Sequence, residues 1–61
     1  MSVPLADQIA AVRREIHFRE NVYPRWVSAG KMKQEKADSE LRRMKAVLET
    51  LEDLLRHSAP A

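Results

Sequence analysis

A single glycine, Gly30, stands at the middle of a 61-residue chain, and the apolar residues on both sides of it recur at alternating steps of four and three. After it come Ala37, Leu41, Met44, Leu48, Leu51 and Leu55. Before it come Leu5, Ile9, Val12 and Ile16, continued by Arg19, Tyr23 and Trp26. This spacing is the seam of a packed helix, because a helical turn returns every third or fourth side chain to one face. No glycine or proline interrupts Lys31 to Ala59, so the second stripe predicts helix 2 over about 33–56, about 36 Å long. The first stripe predicts helix 1 over about 4–28, with Pro4 in its first turn and Val3 or Ser2 as the cap position. Gly30 suits the left-handed residue that follows a helix. The bend then occupies 29–32, and Ser58 to Ala61 form a short disordered C-terminal tail.

The two stripes agree on one bend. If the chain doubles back at Gly30, facing residues carry numbers that add to about 60. Leu5 then meets Leu55, Ile9 meets Leu51, Val12 meets Leu48 and Ile16 meets Met44. Nearer the bend, Arg19 meets Leu41, and the large Tyr23 meets the small Ala37, the complementarity a close-packed seam needs. The fold class is all-α: one antiparallel helical hairpin. Pro24 interrupts helix 1, since it lacks a backbone donor and crowds the Glu20 carbonyl. The helix is expected to kink there, or to restart with Asn21 as the cap of a turn over Pro24 to Ala29.

Such a hairpin has too little core of its own. The chain contains no cysteine, which excludes disulfides, thiolate nucleophiles and cysteine zinc sites. His17 and His57 are far apart, so no metal and no cofactor is expected. Oligomerisation is the remaining source of stability. Phe18, Val22, Val47 and Leu54 lie off the primary seam and are the candidate oligomer interface, closing a homodimer or higher oligomer into a helical bundle.

Other function classes fall away. One glycine and three prolines are too few for the turns of a β fold. No run of eighteen apolar residues exists, so no membrane partner is expected. Met1-Ser2-Val3-Pro4 lacks the basic and apolar regions of a signal peptide, and the expected location is the cytoplasm. No glycine-rich phosphate loop, metal-ligand spacing or nucleophile turn is present, so the chain is read as a non-enzyme.

Charge is placed unevenly. The net charge is +2, yet Arg13 to Lys45 holds ten basic and five acidic residues, and the ends carry Asp7, Glu49, Glu52 and Asp53 against Arg56 alone. The hairpin is therefore basic around its bend and acidic at its open end, and a basic end attracts anions. Arg42, Arg43 and Lys45 also fit ordinary local pairing with Glu40 and Glu49. The segment Arg19 to Lys31 concentrates the only tyrosine, the only tryptophan, two arginines and a lysine. Planar guanidinium groups beside aromatic faces can stack bases and grip phosphates. Arg19, Tyr23, Arg25, Trp26 and Lys31 are thus candidate ligand-binding residues, with Arg42 or Arg43 reaching in from helix 2 or a neighbouring subunit. The competing reading gives Tyr23 and Trp26 to the end of the core, and pairs Arg19 with Glu40 or turns it outward.

The run from Ile9 to Leu51 resembles a group of small helical accessory proteins encoded by bacteriophages and prophages. The motifs are I-A-x-V-x-R-E at Ile9 to Glu15, R-x-x-V-Y-P-x-W-V at Arg19 to Val27, G-x-M at Gly30 to Met32, and A-x-x-E-x-x-x-M-x-A-V-L at Ala37 to Leu48. Members of the group often carry Ser or Thr, a natural helix cap, where Lys33 stands here. The resemblance implies a phage origin and the cytoplasm of a bacterial host. A separate likeness, of size and architecture only, to small helical phage oligomers that sequester nucleotide signals of bacterial immunity gives the expectation of a protein that counteracts a host defence by sequestering a nucleotide-like signal at an intersubunit site. The alternative is a protein–protein inhibitor of a host defence or regulatory factor acting through an exposed helix face. Weak DNA binding by the bend ranks last, because so modest a charge loses affinity steeply with salt.

Overall fold

The structure, a computed structural model, describes residues 3–58. Two helices, α1 (Leu5–Ser28) and α2 (Gln34–Ser58), pack against each other as a hairpin 49 Å long and 19 by 17 Å across. Both are amphipathic, and they meet along the stripes described above.

The termini of α1 explain its bounds. Pro4 is the cap residue itself, not a member of the first turn, and its extended backbone (φ −53°, ψ 145°) offers no side-chain hydrogen bond. Its carbonyl accepts from the Asp7 and Gln8 amides at 3.0 and 3.1 Å, and Gln8 Nε2 donates to the Val3 carbonyl at 2.8 Å. Ser2, the other expected cap, lies outside the described residues. At the far end the Gly30 amide donates to the Val27 carbonyl at 3.0 Å, and the Lys31 amide to the Trp26 carbonyl at 2.8 Å. These are the two bonds of a Schellman termination, which needs a left-handed residue between them. Gly30 supplies it with φ +74°. A Cβ there would meet nothing within 4 Å, so the obstacle to other residues is conformational and costs about 1–2 kcal/mol.

Pro24 does not break α1. The helix is continuous from Leu5 to Ser28 with Pro24 inside it, so no restarted turn forms and Asn21 is an ordinary, exposed helical residue. The missing donor costs one hydrogen bond to the Glu20 carbonyl, and packing on both sides of that turn holds the helix across it.

α2 begins at Gln34, one residue later than expected. The Lys33 carbonyl accepts the first bond from the Ala37 amide at 3.1 Å, while Lys33 has no side-chain oxygen with which to cap. Glu35 in the first turn and Arg56 and His57 in the last have the signs that suit the helix dipole. α2 also runs two residues further than expected, to Ser58, whose hydroxyl bonds the Leu55 carbonyl at 3.4 Å. Helix thus replaces the first residue of the expected disordered tail; the remaining three residues lie outside the described ones.

The core is thin and concentrated. Ile9, Ile16, Tyr23 and Ala37 are the buried residues among those described. Leu5, Val12, Leu41, Met44, Leu48 and Leu51 are half-buried, as the seam of a two-helix layer must be when nothing covers its outer edges. Two positions depart from the expected seam. Leu55 is exposed at the open end, and beyond Tyr23 the seam passes to half-buried Val27 while Trp26 is 41% exposed.

Candidate functional site

The two edges of the seam differ in kind. Residues just after Val12 and Arg19 in α1, and just after Met44 and Leu51 in α2, lie on one flank of an antiparallel pair. They are Arg13, Glu20, Lys45 and Glu52. Arg13 bonds Glu52 at 2.5 Å, and Lys45 lies 3.2 Å from Glu20. Glu20 follows Arg13 by one heptad and Lys45 precedes Glu52 by one, so the two bridges repeat the register of the seam. This flank is closed by interhelical ion pairs.

Residues just before Tyr23 in α1, and just before Leu48 and Leu55 in α2, lie on the opposite flank. They are Val22, Val47 and Leu54, and Phe18 sits one helical turn before Val22. Phe18 and Leu54 are each 54% exposed and Val47 is 45% exposed; Val22 is half-buried. All four expected interface residues therefore fall on one flank, and no interhelical ion pair crosses it among the described residues. Its charged members pair along their own helices: Glu15 with Arg19 at 2.8 Å, and Glu40 with Lys36 at 3.5 Å and Arg43 at 3.8 Å.

The seven candidate ligand residues do not converge on one cavity. Tyr23 is buried in the seam, and its ring lies 5.7 Å from that of Trp26 at 39°. Arg19 does not pair with Glu40 as expected. Its Nε donates to Glu15 Oε1 one turn back, and its side chain keeps 27% of its exposure. That hydrogen bond holds the guanidinium pKa above its ordinary value; partial desolvation opposes it, and the charges of Tyr23, Glu15 and Glu40 add to it. Arg43 serves Glu40, and Lys45 serves Glu20 and not Glu49. Arg42 is exposed and lies on the far side of α2 from the apolar flank. What remains at the bend is exposed Trp26 beside Arg25, Lys31 and Lys33, which make no ion pair among the described residues.

The structure shows one feature that sequence reasoning missed. A cleft of about 340 Å³ opens at the end opposite the bend, lined by Ala6, Ile9, Arg13, Glu52, Leu55 and Arg56. The apolar stripes do not reveal it, because four of its six lining residues, Ala6, Arg13, Glu52 and Arg56, lie off them. No three potential ligating side chains gather to hold a metal, and no helix is long and apolar enough to cross a membrane, among the described residues. Comparison with known protein families, curated proteins and solved structures finds no match.

Proposed function

We propose that the chain is a non-enzymatic binding protein that works as a self-associated helical bundle, with its apolar flank covered by a second copy. One observation carries this reading: the surface a single copy leaves in water. Its accessible surface is 4982 Å², whereas a compact monomer of 7.0 kDa exposes roughly 4,000 Å². The excess, on the order of 900 Å², is close to the roughly 800 Å² that each partner buries in a stable interface. The radius of gyration, 14.4 Å, likewise exceeds the roughly 10 Å of a compact chain this size. Phe18, Val47 and Leu54 place large apolar side chains on that surplus area. A kink of α1 at Pro24 belongs to the same proposal, because the free Glu20 carbonyl would let the last turns tilt Trp26 off the seam.

The bundle's target follows from the phage resemblance: a protein of a bacterial host's defence or regulatory machinery, engaged in the cytoplasm through a helix face that the bundle leaves free. A second reading keeps the nucleotide-like signal as ligand, because Trp26 is exposed near Arg25 and Lys31, cations that make no ion pair among the described residues. Light scattering at micromolar concentration tests self-association. At least twice the chain mass is expected for the wild type, and a folded particle of one chain mass overturns it. Calorimetry against cyclic and linear nucleotides tests the second reading. Binding that Arg25→Ala abolishes supports it, and heat-silent titrations with the whole panel end it.

A further inference from the structure

We propose that the bend binds single-stranded nucleic acid, with a base stacked on Trp26 and phosphates held by Arg25, Lys31 and Lys33. This rests on the second reading above, that these residues form a ligand surface, and replaces its small nucleotide with a polymer. The distribution of ion pairs is the first support. Among the described residues, Arg13, Arg19, Lys36, Arg43, Lys45 and Arg56 each have a carboxylate partner. The cations without one are Arg14, Arg25, Lys31, Lys33 and Arg42, and three of these five stand within about one turn of the bend. No acidic residue occurs from Asn21 to Gln34, so the stretch offers them no carboxylate of its own. Glu35 follows in the first turn of α2, and three cations against it leave the bend positive. The net charge of +2 conceals this, because most other cations are neutralised by carboxylates beside them.

Trp26 supplies what a merely cationic surface lacks. Its indole is 41% exposed, and its ring centroid lies 5.7 Å from that of buried Tyr23. A ring braced on a buried neighbour loses little freedom when a base stacks on it. The Lys31 amide donates to the Trp26 carbonyl at 2.8 Å, so the turn at Gly30 brings Lys31 back beside Trp26, and Arg25 adjoins it in the chain. An aromatic face flanked by cations is the combination that tracks a single strand. Exposure favours a polymer over a small ligand. Arg25, Trp26, Lys31 and Lys33 are all exposed, and the cleft of about 340 Å³ lies at the opposite end of the hairpin. A small nucleotide is held by enclosure, whereas a strand gains from several exposed contacts at once. A duplex hides its base faces, so stacking on Trp26 selects single strands. A lipid surface is less well matched, because Ser28, Ala29 and Gly30, exposed beside Trp26, offer no second large apolar side chain to insert.

Trp26 is the only tryptophan, so its fluorescence reports on the site directly. Titration with an oligothymidylate of about 12 nucleotides should quench it saturably. Log affinity should fall with log salt at a slope of about −2 for each chain engaged, as three phosphate contacts require. At about 0.15 M salt, the duplex with oligoadenylate and inorganic polyphosphate should each bind at least about tenfold more weakly. Equal affinity for either overturns the stacked single strand, as does binding to phosphatidylserine vesicles but not to the strand. Thymidine monophosphate matching the strand overturns the polymer and leaves the nucleotide reading standing. Silence toward the strand and every nucleotide overturns both. Followed by anisotropy of a labelled strand, Trp26→Ala should lose about tenfold or more, while Trp26→Phe keeps most of the affinity; unchanged affinity in a folded Trp26→Ala overturns the stack. Trp26 stands one turn from Val22 of the apolar flank, so the variant is checked by circular dichroism and sedimentation. Should it unfold or change mass, Arg25→Ser combined with Lys31→Ser decides. The salt slope should then fall to about a third, and an unchanged slope overturns the proposal.

Discussion

The two flanks of one seam make the most instructive contrast in this molecule. One carries Arg13–Glu52 and Glu20–Lys45, bridges that join the helices and repeat with the heptad. The other carries Phe18, Val22, Val47 and Leu54, and its ion pairs stay within single helices. Exposed ion pairs contribute little energy, so the bridged flank holds register more than stability. The apolar flank has the greater capacity to stabilise, because burying each of its large side chains is worth about 1.5–3 kcal/mol. That stability becomes available only when something covers the flank. A hairpin of this size thus keeps its alignment on one side and its cohesion on the other.

The contrast breaks most completely when the shared seam is cut. Ile16→Ala removes the central buried residue of α1 and should cost about 2–5 kcal/mol, a large part of the stability of so small a domain. Thermal unfolding followed by circular dichroism should show the midpoint collapse, with both flanks lost together. Next in size is Phe18→Asp, which should leave the helices formed but weaken self-association about a hundredfold. Sedimentation should then report one chain where the wild type reports two.

The bridged flank should respond far less. Arg13→Glu should cost about 0.2–1 kcal/mol, and adding Glu52→Arg should restore most of it, since Arg13 is exposed and Glu52 only half-buried, so solvent screens the pair. Denaturant titration of the four members of that cycle isolates the coupling. A coupling well above that range would make the bridged flank an energetic equal of the apolar one. Arg19→Met should have the smallest effect, a gain below about 1 kcal/mol, because it extends the apolar edge of the seam while Glu15 stays half solvated. A clear loss of stability on thermal melting would show that the Glu15–Arg19 pair is needed to hold α1.

Most of the fold is legible in the spacing of residues. The four-and-three steps around Gly30 identify both helices and the bend, and they place Tyr23 and Ala37 on the two stripes, where both are buried. The four interface candidates are legible for the same reason: leaving the seam by one position moves a side chain onto a flank. Partner choice is another matter. Arg19 had several carboxylates within reach in principle, and the one taken, Glu15, is its i,i+4 neighbour on the same helix, a local pairing that a search for partners across the seam passes over. The turn expected to restart at Asn21 does not form, because the local penalty of Pro24 is set against packing from Ile16 to Val27 that propensity does not count. Of the ligand candidates between Arg19 and Lys31, Tyr23 is taken by the core and Arg19 by Glu15, while Arg25, Trp26 and Lys31 are exposed near the bend.

Self-association through the apolar flank is tested most directly by the thermal midpoint of the wild-type chain over a hundredfold range of protein concentration. Coupled folding and dimerisation predicts a midpoint that climbs with concentration, on the order of 5–10 °C across that range, and Phe18→Asp should flatten the dependence. A cooperative wild-type transition whose midpoint stays constant at every concentration would mean that the hairpin folds alone and leaves Phe18, Val47 and Leu54 in water.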